Sequence, residues 1–426
     1  MKRFRISAPP FLKEMLRAFK NRNYRLFFAG QGISLIGTWM QQIAMGWYVY
    51  RLTNSSFLLG LVAFSANIPS FFLTPVAGVL SDRYNRHKML IFTQSFAMLQ
   101  ASILAFLVLN HYATITHIIC LCLFLGTVNA FDAPIRQAFV ADLIENRNDL
   151  GNAIALNSGM FNSARLIGPS VAGLLISYAG EGVCFLINAL SYIAVLTSLS
   201  LMKLKPRVIS PQNESPVKNL KEGFSYAYNH RPIRMVLTLV ANISIMGMAY
   251  SVLLPVFARD ILHGGPNTLG FLMGAVGIGA VVGAGFMASR KNPAGFSSII
   301  PRSSSIFGIS LMLFSFSETY WLSLIFMFCA GFGMMTNMAC CNTLIQTISD
   351  EDKRGRVISL YVFAFIGMAP FGSLASGWLS SHIGAPRTLL LCGTACLMGG
   401  LNFARGQAYF REATRPVFIK KGLIKE

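Results

Sequence analysis

Long runs without a formal charge dominate the chain, and their lengths decide what they can be. Residues 26–50 contain no Asp, Glu, Lys or Arg, and neither do residues 52–81. Each run exceeds the roughly 20 residues that a helix needs to cross a bilayer. Residues 89–131 are free of the same four residue types, long enough for two helices, and broken by the polar hairpin Asn110, His111 and Tyr112. Further low-charge stretches follow at 150–180, 182–202, 235–258, 261–289, 303–317, 319–349, 357–386 and 388–404. That makes twelve predicted spans, with 303–317 the shortest. Backbone groups in hydrocarbon must be satisfied within their own segment, so spans of this length are helices rather than barrel strands. The expected fold is an all-α membrane protein of twelve transmembrane helices.

Between 204 and 232 the chain turns polar, with Pro206, Pro211 and Pro216 among basic residues. This reads as a linker between two six-helix halves, 26–203 and 233–405, flanked by a leading segment 1–25 and a tail 406–426. Within the linker, Leu220, Phe224 and Tyr228 recur at four-residue spacing, which predicts a short amphipathic helix on the membrane surface. The halves carry an internal repeat. Gly78-Val-Leu-Ser-Asp82-Arg83 aligns with Gly285-Phe-Met-Ala-Ser289-Arg290, and 126–180 overlays 331–384 with one gap. The overlay pairs Asp132 with Asn337, Gly168 with Gly372 and Gly173 with Gly377. Two parallel halves, each divisible into inverted threes, form a repeat plan of secondary transporters.

Composition agrees and removes other classes. Of 426 residues, 54% are hydrophobic and only 12% charged, against roughly 25% charged in a soluble domain. The net charge of +20 would suggest a nucleic-acid partner in a soluble chain. Its distribution says otherwise. With the N-terminus placed in the cytoplasm, 32 of the 36 Lys and Arg fall in inside segments and only Arg51, Arg259 and Arg387 outside, with Arg165 within a span. The basic excess is therefore the positive-inside signal, with both termini cytoplasmic. Residues 1–25 lack an apolar core, so the first span is expected to serve as an uncleaved signal. The eight cysteines fall in predicted spans without metal-ligand spacing and read as packing residues. No metal, nucleotide loop or other cofactor is expected.

The sharpest local pattern is Gly78-Val-Leu-Ser-Asp82-Arg83-Tyr-Asn85-Arg86-His-Lys88 between the second and third spans. It resembles the signature loop of the major facilitator superfamily: a Gly, an Asp four residues on, a basic residue, then a second Gly and clustered basic residues. Asn85 stands at that second Gly, a position that Asn fills through its tolerance of left-handed backbone. The resemblance implies that Gly78, Asp82, Arg83 and Arg86 form a cytoplasmic latch, with Asp82 facing the start of the eleventh span near Arg356 and Asp142 as a partner for Arg83. Arg165-Leu-Ile-Gly168-Pro169-Ser-Val-Ala-Gly173 resembles the antiporter motif of the drug/proton exporters in this superfamily, which implies export.

Ionisable groups inside a membrane are expensive and point to function. Asp132, Arg136 and Arg165 lie at comparable depths, given a rise of about 1.5 Å per residue, and are expected to form one charge cluster between the fourth and fifth spans. Asp132 is the candidate proton carrier. Polar and aromatic residues of the first and seventh spans supply substrate-path candidates, Gln31, Gln41, Trp47, Asn242 and Tyr250, with Gln41 and Trp47 foremost. The acidic residue that many multidrug antiporters carry in the first span is absent. Phe131-Asp-Ala-Pro-Ile-Arg-Gln-Ala-Phe-Val, Asn152-Ala-Ile-Ala-Leu-Asn and Arg354-Gly-Arg-Val-Ile-Ser-Leu-Tyr resemble the branch holding enterobactin-type siderophore exporters and bacterial drug exporters. The expected function is export of a small amphipathic siderophore or drug-like molecule across a bacterial inner membrane by proton antiport, from a monomer that is not an enzyme. Uptake of a nutrient or metal chelate and a non-transporting membrane sensor or scaffold are the alternatives.

Overall fold

A computed structural model describes residues 16–204, 216–290 and 292–424, with the side chains of Pro75, Gly78, Val79, Ser81, Asp82, Arg147 and 216–222 outside the description. Twelve long helices cover most of the described chain: α1 (Arg22–Thr53), α2 (Ser56–Arg83), α3 (Arg86–Leu109), α4 (Ile115–Asp142), α5 (Leu150–Ala179), α6 (Glu181–Ser200), α7 (Arg231–Ile261), α8 (Pro266–Ala288), α9 (Phe296–Ser315), α10 (Tyr320–Ile348), α11 (Arg354–Ile383) and α12 (Ala385–Arg405). Ten are long and apolar enough to cross a membrane on that ground alone. The other two, α1 and α5, are equally long but carry Gln41, Gln42, Asn157, Asn162 and Arg165.

The weak stretch at 303–317 is corrected by the helix it belongs to. The α9 helix starts at Phe296, so Arg302, expected in a loop, sits on a helix about 9 Å above its first residue. Ser303, Ser304 and Ser310 lower the hydropathy of this span but are buried against neighbouring helices, where Ser303 and Ser304 give their hydroxyls to backbone carbonyls. Asn85 is corrected too. It has extended backbone, φ −68°, and caps α3 by accepting from Lys88 N at 3.1 Å. A helix start needs that side-chain oxygen, not a left-handed residue.

In the first half α1 packs on α5 and α6, α4 on α2 and α3, and α3 on α6; in the second, α8 and α9 pack on α10, and α9 on α12. The repeat read from sequence is reproduced in space. A Cβ at Gly168 would lie 2.5 Å from Trp39 Cβ and 3.1 Å from Ile36 O of α1, while one at Gly372 would strike Ile245 O of α7. Asp132 turns towards Thr93 of α3, and its counterpart Asn337 towards Ser303 and Ile300 O of α9. Gly180 and Gly384, which close the corresponding turns before α6 and α12, have φ +79° and +84°, values that disfavour any side chain.

The second half is less regular. Two of its helices contain π turns, Ile243–Gly247 in α7 and Phe363–Gly367 in α11, joined where Ser244 Oγ donates to Phe365 O. The linker helix (Pro216–Asn229) packs through Gly223 and Ala227 near Arg356, and Tyr226 donates to Asp350 at 2.9 Å. Burial and that carboxylate hold the Tyr226 phenol above its usual pKa. Phe224 and Tyr228 remain exposed on the opposite face.

Candidate substrate cavity and its gates

The halves meet along two seams built from small residues. On one, a Cβ at Gly173 of α5 would lie 2.8 Å from Pro266 O and 3.1 Å from Gly270 Cα of α8. On the other, a Cβ at Gly377 of α11 would lie 2.7 Å from Gly60 Cα of α2. Helices that approach this closely need glycine at the crossing. Pro169 contributes its carbonyl to the first seam, so the Gly168-Pro169-Gly173 motif ties α5 to α1 on one face and to the second half on another. Gly60 and Gly270 escaped the sequence reading, although Gly270 and Gly274 repeat the small-xxx-small spacing that could have marked a crossing.

Both seams lie towards the end of the bundle opposite the start of α1. At that far end Tyr50 of α1 donates to Asp260 of α7, Arg259 Nη1 donates to Asn54 Oδ1 at 2.7 Å, and Ser177 of α5 donates to Asn267 of α8 at 2.8 Å. The glycine crossings of α8 reach α5 at Leu166 and beyond, while Ile154, Ser158 and Phe161 nearer the basic end stay exposed. The halves are thus closed at the far end and part towards the basic end. Asp260→Ala removes a charged acceptor, worth about 1.5–3 kcal/mol. Far-end opening should rise roughly tenfold or more, read by alkylation of a cysteine introduced at Ser177; unchanged labelling would show that Tyr50 and Asp260 do not hold the gate.

At the apex of the parted region stands Arg165. Its guanidinium lies over the Trp39 ring, 5.6 Å from the centroid, and Phe161 meets the same ring edge-on at 5.7 Å. Gly46 and Tyr50, further along α1, touch α7, so Trp39 shares the α1 face turned to the second half. Among the described residues no carboxylate lies within ion-pair distance of Arg165. A half-buried cation with an aromatic neighbour and no counter-charge is a ready receptor for an anionic group.

The expected three-charge cluster does not form. Asp132 is 6% exposed; its Oδ1 accepts from Thr93 Oγ1 at 2.8 Å and Gln94 Nε2 at 2.7 Å, and its Oδ2 from Arg136 Nε at 3.1 Å. All three partners lie on α3 and α4, whereas Arg165 faces α1. Depth along two helices was equal, but their facing directions differ. Asp132 and Arg136 therefore belong to the interior of the first half. A small cavity beside them is lined by Gln31, Gln94 and Ser198, and Gln94 Oε1 is buried without a partner.

The substrate-path candidates are displaced for the same reason. Gln41 donates to Gln100 of α3 at 3.1 Å and accepts from Asn188 of α6 at 2.7 Å, which ties three helices of the first half together. Trp47 is 7% exposed within the apolar core. Asn242 donates to Ala395 O of α12, and the Tyr250 ring packs on Phe307 of α9. Polarity in α1 and α7 is spent on joining helices, and Trp39 is the aromatic residue beside the cation. Of the latch, Asp142 pairs with Arg86 at 3.2 Å rather than with Arg83, which is exposed at the end of α2. Arg86 starts α3 beside the end of α4, so it reaches Asp142 directly. Gly223 of the linker helix lies against Arg356, while the surroundings of Gly78 and the side chain of Asp82 lie outside the description.

Comparison with known proteins places this geometry. The chain is 27% identical over 379 residues to the staphyloferrin A transporter of Staphylococcus aureus, covering 88% of this chain and 94% of that protein. It is 22% identical over 384 residues to macrolide efflux protein A of Streptococcus pyogenes, again covering 88% and 94%. Among solved structures, the nucleoside transporter NupG superposes with TM-score 0.72 at 11% identity, covering 90% of this chain and 99% of that one. A bacterial homologue of the iron transporter ferroportin, in an inward-facing state, superposes with TM-score 0.69 at 15% identity, covering 91% and 98%. The family model described as transmembrane secretion effector matches residues 14–414. With two six-helix halves that meet at glycine seams and part towards one end, the chain is a major facilitator transporter and belongs to the transmembrane secretion effector family.

Proposed function

We propose that this protein exports a small amphipathic molecule bearing an anionic group, a siderophore or a drug-like acid, across a bacterial inner membrane. The observation that carries the reading is Arg165, set over Trp39 at the cavity apex without a carboxylate partner among the described residues. The relative named for macrolide efflux supports export over uptake, and the one named for staphyloferrin A transport supports a siderophore as substrate. The basic end is the cytoplasmic face, so the closed far end is the outer gate and the cavity loads from inside. Accumulation in inverted vesicles tests direction: uptake into the vesicle lumen of a carboxylate-bearing chelator is the expected result, and its extrusion from preloaded vesicles would instead mean import.

Energy would come from proton antiport, with Asp132 as the proton carrier. Its carboxylate accepts from Thr93, Gln94 and Arg136, and a proton bound there would loosen the contact with Arg136. The small cavity at Gln31 and Gln94 offers space for about one water on the way to it. Asp132→Asn should abolish the dependence of export on an imposed pH gradient while substrate binding persists. Gradient-driven transport equal to that of the parent would remove Asp132 from the coupling path.

A further inference from the structure

The outer flank of the second half carries a feature that transport does not use. The α9 helix packs on α10 and α12, away from the first half. Its exposed face runs through Ile306, Ile309, Leu313 and Phe316, between 38% and 71% exposed, an apolar ridge suited to lipid tails. At the basic end the same ridge finishes on Arg302, also exposed. An arginine on a lipid-facing stripe about 9 Å into a span needs an anion within reach of its guanidinium.

Two basins of about 460 and 420 Å³ flank Arg302 and share it as a common wall. Arg411 of the C-terminal helix (Gln407–Lys420) closes the first basin, held there by Ser297 and Ser298, and Gln407 also donates to Ser298 at 3.2 Å. Arg290 lines the second. Among the described residues no acidic side chain lines either basin, and none pairs with these three arginines. The second basin is also lined by Thr336, 1% exposed, whose hydroxyl is buried with no hydrogen-bond partner. Buried hydroxyls are satisfied in native structures, so this one calls for an occupant.

We propose that these basins bind the headgroup of an anionic phospholipid, with phosphate between Arg302 and Arg411 or Arg290 and an acyl chain along Ile306 and Ile309. Basic pockets between helices at the cytoplasmic surface suit such headgroups. The paired basins favour a lipid with two phosphates, diphosphatidylglycerol, which fills both around the shared Arg302. The C-terminal helix would then be fastened to the bundle partly through lipid.

Full-length protein in detergent is titrated with diphosphatidylglycerol, phosphatidylcholine or inorganic phosphate, and thermal unfolding is followed. Diphosphatidylglycerol should stabilise the parent protein. Arg302→Gln should weaken its effect roughly fivefold and Arg302→Gln with Arg411→Gln roughly 25-fold. Arg302→Lys and the remote Arg22→Gln should respond as the parent does. Native mass spectra of the unmodified protein, mixed with both lipids, should retain diphosphatidylglycerol in preference to phosphatidylcholine. Equal protection by phosphatidylcholine, by inorganic phosphate, or of the double variant would overturn the assignment, as would the absence of lipid preference in the mass spectra.

Discussion

Gly173→Leu is expected to abolish transport while the protein still reaches the membrane in a folded, monodisperse form. At this crossing the nearest atoms are backbone, Pro266 O and the Cα atoms of Gly270 and Asn267, so no flexible side chain can swing aside. Overpacking of this kind costs about 1–3 kcal/mol. Because the seam is joined only when the far end is closed, the whole penalty falls on one state of the alternating cycle. A shift of that size changes the ratio of closed to open forms up to roughly a hundredfold. The variant should therefore stall open at the far end, with fast alkylation of a cysteine introduced at Ser177. Gly377→Leu, at the equivalent crossing with Gly60, should give the same phenotype, whereas substitution at Gly159, which faces open space, should be silent. Normal transport by Gly173→Leu would mean that the seam does not separate in the cycle.

Arg165→Gln should reduce transport of anionic substrates by about one to two orders of magnitude, since a charge-assisted hydrogen bond contributes about 1.5–3 kcal/mol. Neutral or cationic compounds should lose far less, which separates recognition from a general folding defect. Arg165→Lys should fall between the two, because lysine keeps the charge without the planar fork that grips a carboxylate. Trp39→Ala should cost about 0.5–2 kcal/mol through loss of the ring that supports the guanidinium. Measured as apparent affinity in inverted vesicles, equal losses for anionic and neutral compounds would assign Arg165 a structural role only.

The sequence by itself determined the all-helical membrane fold, the place of most helices and connections, and four of the crossing glycines, Gly168, Gly173, Gly372 and Gly377, though not Gly60 or Gly270. Run length and charge spacing are one-dimensional quantities, and the bilayer turns them directly into helices and connections. The repeat was legible for a similar reason: Gly168 and Gly372, or Gly173 and Gly377, occupy equivalent crossings and so keep equivalent residues. Arg302 was misplaced because serines inside α9 mask its apolar character, although their hydroxyls are satisfied within the bundle.

What only the tertiary structure decided was azimuth and partner. Asp132 and Arg165 share a depth but face α3 and α1, and no periodicity within one helix says which neighbour lies beside it. Gln41 looked like a substrate ligand and instead joins α1 to α3 and α6, since a buried amide in a membrane must find its partners on whichever helices enclose it. Tyr50 and Asp260 are 210 residues apart and carried no local signal, yet they meet across the far end. Depth is set by each helix against the bilayer; facing direction is set by the packing of all twelve against one another.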